Sequence, residues 1–470
     1  MGGSSNKGLL RLIPPVDELL ADPAVTALRG AYPDFPWTAL IREVVLTYRE
    51  AGVGKEDRDS VKAELTAAVV RRFESLRDEG MRPVINGTGV ILHTNLGRAI
   101  AGDDVVTAVE SALRHYENLE VDLATGRRSA RGETLIDLIR LATGAEAAIV
   151  VNNNAAAVYL AVNSLSPPGR VLISRSELVE IGGSFRLPDI LESAAAEVVE
   201  IGTTNRTYAD DYAKIAREGD VFLRAHRSNY EIHGFTHEAS LSELVGLARE
   251  KKCHVVYDLG SGSFFDFDAA GFPGEERVAD VVARGVDGVT MSGDKLLGGV
   301  QAGIVVGSRR FIDRLRENPL RRAFRIDKLT TAALQALFRT YLFEREPVKH
   351  VPVLSQTTEP LEALRKRADR IAKRIPDTSR FAVVVEDDLA AIGGGSFATR
   401  EVESCAIVIR CGSDEEAEAL SGRMRNRLVP VLARIKGSEV RVNLRTVMAY
   451  EDPTLGEALG DVLAEEGGES

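Results

Sequence analysis

From about residue 84 to residue 345, short apolar runs alternate with segments of helical periodicity, and this alternation restricts the fold more than any other feature of the chain. Ala148–Val151, Val171–Ser174, Val198–Ile201, Val221–Arg224, His254–Asp258, Gly288–Met291 and Ile304–Val306 read as strands. Helical patterns such as Val105, Val109, Ala112, Leu113 and Tyr116 lie between them. The alternation predicts an α/β fold, a largely parallel sheet covered by helices, with ligand sites beyond the carboxyl ends of the strands.

The flanking regions differ. Residues 9 to about 80 are predicted helical: Val61, Leu65, Ala68, Val69, Phe73 and Leu76 recur at helical spacing, with Asp59 and Ser60 as expected caps. Pro14-Pro15 and Pro33-Asp-Phe-Pro36 divide this stretch, and Gly80-Met-Arg-Pro83 reads as its boundary. The last 125 residues carry strand patterns (Phe381–Val385, Ala406–Arg410, Val440–Leu444) and helix patterns (Asp414–Leu428, Leu455–Leu463) of a smaller α+β domain. A chain of 470 residues has room for such an arrangement. The expected domains are therefore 1–80, helical; 81–345, large α/β; and 346–470, small α+β.

No apolar run reaches the roughly 18–20 residues needed to span a bilayer. Met-Gly-Gly-Ser-Ser-Asn-Lys-Gly at the start lacks the apolar core of a signal peptide and reads as a flexible tail. Cys253, Cys405 and Cys411 show no Cys-x-x-Cys spacing, which favours packing roles over metal or disulfide. A cytoplasmic setting is expected. The net charge of -11 argues against indiscriminate nucleic-acid binding but leaves room for a local basic patch.

Lys295 lies in Met291-Ser-Gly-Asp-Lys-Leu-Leu-Gly-Gly-Val-Gln-Ala-Gly303, a glycine-framed turn between two strand patterns. Desolvation lowers the pKa of a buried amine, and a neutral amine attacks aldehydes. Pyridoxal phosphate is the cofactor that uses such a lysine. Ser-x-x-Lys by itself is weak, because lysines near loops are commonly solvated. Asp258 closes the apolar strand of Val255-Val-Tyr-Asp-Leu-Gly-Ser-Gly262, 37 residues before the lysine. A carboxylate there suits the pyridine nitrogen of the same cofactor, although strand-terminal aspartates also cap turns. In Val150-Val-Asn-Asn-Asn-Ala-Ala-Ala157 a strand runs into a helix start, where Asn154 and Ala155 are candidate phosphate contacts. Ser292 offers a further hydroxyl.

Arginines form a third group, in Asn95-Leu-Gly-Arg98, Gly126-Arg-Arg-Ser-Ala-Arg131 and Arg321-Arg-Ala-Phe-Arg325. Arg322 and Arg325 would share a face on a helix. As a set they suit a phosphate-bearing co-substrate, whereas singly each fits a solvated or acid-paired role. His226, after another strand, suits a place against the cofactor ring, an acid/base role or a structural one. No Walker A, dinucleotide fingerprint, His-Glu-x-x-His or zinc spacing occurs.

Six motifs together resemble the bacterial selenocysteine synthase family, the L-seryl-tRNA(Sec) selenium transferases. They are Gly87-Thr-Gly-Val-Ile-Leu-His-Thr-Asn-Leu-Gly-Arg98, Asn118-Leu-Glu-Val-Asp-Leu-Ala-Thr-Gly-Arg-Arg128, Glu180-Ile-Gly-Gly-Ser-Phe-Arg186, Gly202-Thr-Thr-Asn-Arg-Thr207, Asp258-Leu-Gly-Ser-Gly262 and Ser292-Gly-Asp-Lys295. The resemblance runs from about residue 9 to the C-terminal strands. It implies a fold-type-I pyridoxal-phosphate enzyme with Lys295 as Schiff-base lysine. It also implies that Arg98, Arg131, Arg322 and Arg325 line a selenophosphate pocket. Residues 1–80 would hold selenocysteine tRNA charged with serine, and the chain would form a homodecamer of dimers. The implied reaction converts L-seryl-tRNA(Sec) to L-selenocysteinyl-tRNA(Sec) through a dehydroalanyl-tRNA. Val300, Arg227 and Ser176 depart from the family pattern, where proline, threonine and glycine are usual.

Two other readings compete. A related pyridoxal-phosphate lyase acting on a small phosphorylated or sulfur-containing amino acid would keep Lys295 and Asp258 but need no N-terminal domain. A noncatalytic tRNA-binding scaffold would not need either residue. Residues 1–80 hold 11 Lys+Arg and 13 Asp+Glu, a balance of -2. Any tRNA recognition there must rest on shape and a few placed cations.

Overall fold

The computed structural model describes residues 12–51, 57–78, 80–165, 169–182, 185–227, 229–376 and 380–464. The expected N-terminal tail, residues 9–11 of the helical region, and Gly183 and Ser184 of one motif lie outside the described residues. The chain divides into two compact units, Met1–Val84 and Ile85–Ser470.

The first unit is helical, with helices Val16–Leu20, Pro23–Ala31, Trp37–Ala51 and Arg58–Asp78. Val61, Leu65, Val69 and Phe73 are buried with Trp37, Leu40 and Ile41, and the Trp37 and Phe73 rings stack at 4.6 Å. Leu76 belongs to the predicted stripe but is exposed, one turn beyond the last buried position. The cap also differs from expectation. Asp57, rather than Asp59 or Ser60, accepts the Ser60 N–H at 2.8 Å, so the helix begins earlier.

In the second unit a seven-stranded sheet runs in the order Ala147–Val151, Gly303–Gly307, Gly288–Ser292, His254–Gly260, Val221–Ala225, Arg170–Ser174, Glu197–Ile201. All seven expected strands are present, each within two residues of its predicted ends. Only Gly303–Gly307 runs against its neighbours. Every residue of Ala147–Val151, Gly288–Ser292 and Gly303–Gly307 is buried, as expected for strands covered on both faces. Helices Asn154–Leu165, Leu187–Ser193 and Arg309–Glu317 pack on one face, and Glu133–Thr143, Leu241–Lys251 and Lys328–Phe343 on the other. The loops after Val151, Ala225, Gly260 and Ser292 consequently leave the sheet at the same edge.

A six-stranded sheet follows the order Ile85–Gly87, Val431–Lys436, Glu439–Asn443, Ser396–Arg410, Ala382–Gly393, Val90–Leu92. Its two outermost strands come from residues 85–92, far from the other four in sequence. Ala382–Gly393 and Ser396–Arg410 form one long hairpin, extending well past the predicted Phe381–Val385 and Ala406–Arg410. Helices Leu361–Ala372, Asp414–Arg425 and Asp452–Ala464 bury Leu364, Leu420 and Leu459 with Ile407 and Ile409. Among the described residues no helix is long and apolar enough to cross a membrane.

Candidate active site

The common edge of the parallel strands gathers the side chains singled out in the sequence. Strand Gly288–Ser292 pairs with His254–Gly260, and the register shifts between Thr290 and Met291. Thr290 pairs directly with Asp258 just before the shift, and Met291 pairs with Gly260 just after it. Asp258 is buried, and its Oδ1 accepts from Asn154 Nδ2 at 2.8 Å, Thr290 Oγ1 at 3.0 Å and the Gly260 N–H at 3.1 Å. Three donors fill one carboxylate oxygen, while among the described residues none bonds to Oδ2. A strand-terminal turn cap would use fewer. The other oxygen is left for a further donor.

Lys295 follows the same strand in a turn closed by its own backbone. Gly293 N–H bonds to Ala302 O at 2.8 Å, Gly299 N–H to Gly293 O at 2.9 Å, and Gly298 N–H to Lys295 O at 2.8 Å. The departure at Val300 leaves this closure intact; its side chain packs against the main core. Lys295 is only 5% exposed. Burial pulls its ammonium below the ordinary lysine value, Asp258 partly offsets that shift, and Arg98 reinforces it.

Arg98 reaches this turn from residues 85–98. Its backbone is left-handed, with φ 64°, a conformation that costs a side-chain-bearing residue about 1–2 kcal/mol. Two contacts hold it there: Nη1 donates to Asp294 Oδ2 at 2.8 Å, and the following Ala99 N–H bonds to Asp294 O at 3.3 Å. The guanidinium is thereby fixed to the residue preceding the lysine.

Gly303 pairs on one side with Val151 and on the other with Ser292, setting the Asn152–Ala155 turn and Ser292 on its two flanks. Asn153 Oδ1 caps the following helix by accepting the Ala156 N–H at 2.8 Å. Asn154 and Ala155 open that helix, and first-turn N–H groups have no partner within a helix. His226 is tied to Asp258 by its backbone, with its N–H on Asp258 O at 2.9 Å. Asn154 Oδ1, His226 Nδ1 and Arg98 Nε are buried without a hydrogen-bond partner among the described residues. Buried polar atoms are seldom left so, and three at one edge mark a place for a polar ligand.

The remaining arginines form a second group. Arg131 donates to Glu120 Oε1 at 2.8 Å and to Ile326 O at 2.9 Å, and Arg325 lies 3.9 Å from the same carboxylate. Arg131 holds the Glu120 carboxyl below its ordinary range. The helical face expected for Arg322 and Arg325 does not form. A short 3-10 turn ends at Arg322, and Arg325 bridges Val151 in extended form, because Phe324 O has accepted the Asn152 N–H. Arg322 is exposed, and no ion pair to it occurs among the described residues. Arg98, Arg131 and Arg325 are acid-paired, yet Arg131 and Arg325 still converge.

Two departures remain. Ser176 is buried against Ser174, Oγ to Oγ 2.8 Å. Arg227 pairs with Glu238, which also takes Arg224 at 2.6 Å. Sequence reasoning gave no role to Thr290, Glu120 or Asp294. Glu120 and Asp294 stood inside quoted motifs, whereas Thr290 carried no signal beyond its strand.

Chemically, this edge offers a desolvated amine, a carboxylate with one oxygen open, a helix start and a fixed guanidinium. An aldehyde cofactor with a ring nitrogen and a phosphate fits that donor set: the amine for the aldehyde, Asp258 Oδ2 for the ring nitrogen, and the helix start for the phosphate.

The family model described as L-seryl-tRNA selenium transferase matches residues 84–448, and one described as selenocysteine synthase N terminal matches residues 10–49. A Carboxydothermus hydrogenoformans protein named L-seryl-tRNA(Sec) selenium transferase is 42% identical over 446 residues, covering 94% of this chain and 95% of its own. Its namesake in Nitratidesulfovibrio vulgaris is 41% identical over 468 residues, with 97% and 99% covered. Among solved structures, D-glucosaminate-6-phosphate ammonia-lyase superposes with a TM-score of 0.58 at 18% identity, covering 83% of this chain and 98% of that one. That likeness concerns the fold.

Proposed function

The chain belongs to the L-seryl-tRNA selenium transferase family, and from that premise we propose that its second unit replaces the β-hydroxyl of serine carried on tRNA(Sec) with selenium. The product is L-selenocysteinyl-tRNA(Sec), and selenophosphate is the donor. The fold is that of fold-type-I pyridoxal-phosphate enzymes, and pyridoxal phosphate is the cofactor. The observation that carries the reading is Lys295, a buried amine with lowered proton affinity beside Asp258.

When bound, pyridoxal phosphate supplies an aldehyde that captures an amine and a protonated ring that accepts electrons from the α-carbon. Lys295 is the amine that holds it at rest, and once displaced it takes the α-proton. Asp258 keeps the ring-nitrogen proton in place, and Asn154 and Thr290 fix the Asp258 carboxylate by filling its Oδ1. Asn154 and Ala155 N–H groups, with Ser292, hold the phosphate. His226, whose backbone N–H bonds to Asp258 O, would face the cofactor ring. Arg98, Arg131, Arg322 and Arg325 bind the donor's oxyanion, with Arg131 and Arg325 drawn together by Glu120.

Residues 1–80 take the tRNA, residues 81–345 the cofactor, and residues 346–470, completed by strands Ile85–Gly87 and Val90–Leu92, form the small α+β domain. The chain works as a homo-oligomer in the cytoplasm, dimers assembling to a decamer. Leu113, Tyr116, Val121 and Leu123 support self-association, being exposed apolar side chains around the Glu120 segment. The test is conversion of seryl-tRNA(Sec) by the purified chain with pyridoxal phosphate and selenophosphate. Product is expected from the native chain and none from Lys295→Ala. Equal conversion by the two would refute the assignment.

A further inference from the structure

Glu275 is a buried carboxylate that the reaction as described does not use. Its Oε2 accepts from Ser261 Oγ at 2.8 Å and its Oε1 from the Phe397 N–H at 2.7 Å. Both donors are neutral, and no ion pair to Glu275 occurs among the described residues. A buried charge without a cation in contact is costly to hold, so its retention calls for a reason.

The two partners belong to different parts of the second unit. Ser261 sits in the turn after Asp258, and that turn lies against the lysine. A methyl group placed on Gly260 would come within 3.9 Å of Lys295 Nζ, and one on Gly262 would strike Met291 of the lysine strand at 2.7 Å. Phe397 stands at the tip of the long C-terminal hairpin, with φ 52° and its ring edge-on to Phe267 at 5.2 Å. Glu275 is therefore the clasp between the turn that seats the amine and the sheet that ends the chain.

We propose that Glu275 is a positioning residue for the Lys295 amine, fixing the Gly260–Gly262 turn against which the amine rests and fastening that turn to the hairpin tip. The proposal rests on the reading of Lys295 given above. Four charged groups act on the amine: Asp258, Arg98, Asp294 and Glu275. A carboxylate favours the ammonium, so removal of the Glu275 charge makes the amine easier to deprotonate.

Two variants of the full-length chain, stripped of cofactor, separate charge from tether. In E275Q both hydrogen bonds can persist, the amide oxygen accepting from Phe397 and the amide nitrogen donating to Ser261, while the charge is gone. E275A loses the charge and both bonds. The readouts are the pH midpoint of Lys295 acetylation by acetic anhydride, followed on its peptide by mass, and amide hydrogen exchange at residues 260–262 and 393–397. The midpoint of E275Q should fall below the native one. E275A should exchange at least about tenfold faster in both segments, in keeping with loss of a buried tether. An E275Q midpoint equal to the native one, or native exchange in E275A, overturns the proposal. A native Lys295 that titrates like the exposed lysines removes the reading of Lys295 itself, and this proposal with it.

Discussion

Lys295 is seated where its charge is disfavoured, which ties stability to pH in a defined direction. The folded chain binds the lysine proton less tightly than the unfolded chain, whose lysine keeps its ordinary value of 10.5. Unfolding therefore takes up a proton, and folding is favoured as pH rises toward 10.5. The cofactor-free chain should gain melting temperature between pH 7 and pH 10 through this residue. Lys295→Met should flatten that part of the profile and raise the melting temperature at pH 7; an unchanged profile contradicts the seat described here. Catalysis should move the other way, with Lys295→Ala losing at least about 10²–10⁴-fold in kcat. Asn154→Ala removes one of three donors to Asp258 Oδ1, a charge-assisted bond of about 1.5–3 kcal/mol, and should lower kcat/KM by roughly 10–100-fold with the fold retained. Lys295 and Asp258 were legible in the sequence because each closes an apolar run with a polar, glycine-rich turn. The bond from Asn154 to Asp258 was not, since it joins residues 104 apart whose meeting depends on strand order.

At the scale of the element, the strands were the most legible part. Within the seven-stranded sheet most are short apolar runs buried on both faces, the edge strand Glu197–Ile201 excepted, and that pattern survives in one dimension. The arginines at 322 and 325 were misread for a local reason. Their spacing suits a helix, yet the backbone after Arg322 is drawn into pairing with Val151 and Asn152. Close approach is equally hidden. Gly303 looks like an ordinary strand residue, but a methyl group on it would lie 2.1 Å from Asn153 O. Gly303→Ala must push the Asn152–Ala155 turn away from the sheet. It should cost about 1–3 kcal/mol by thermal unfolding and weaken uptake of pyridoxal phosphate, measured by absorbance. Native affinity in that variant would show that the turn does not serve the cofactor.

For the whole molecule, charge and assembly make separate predictions. With a balance of -2 over residues 1–80, tRNA binding cannot draw on a broad basic field. A gel-shift should favour selenocysteine tRNA over serine tRNA, and log Kd against log salt should have a slope shallower than about 5 in magnitude. Equal affinity for both tRNAs would return the chain to the lyase reading. Light scattering should give a mass above that of one chain, and Leu123→Glu should lower it by placing a charge on an exposed apolar segment. Sequence periodicity separated the helical N-terminal region from the rest, but it did not anticipate how residues 85–92 are used. Three-residue strands carry almost no pattern, and their partners lie at the far end of the chain.

That arrangement bears on how the chain emerges from the ribosome. Ile85 pairs with Val431, so the outer strand of the six-stranded sheet is synthesised long before anything exists to bond with it. At about 5–20 residues per second the interval is on the order of tens of seconds. Throughout it Ile85–Gly87 lacks its partner strand, and Val90–Leu92 lacks its own until Ala391–Gly393 is made; such open edges invite pairing with other chains. A nascent chain halted before residue 431 would carry the lysine, the aspartate and the seven-stranded sheet, and still present an unpaired edge to its neighbours.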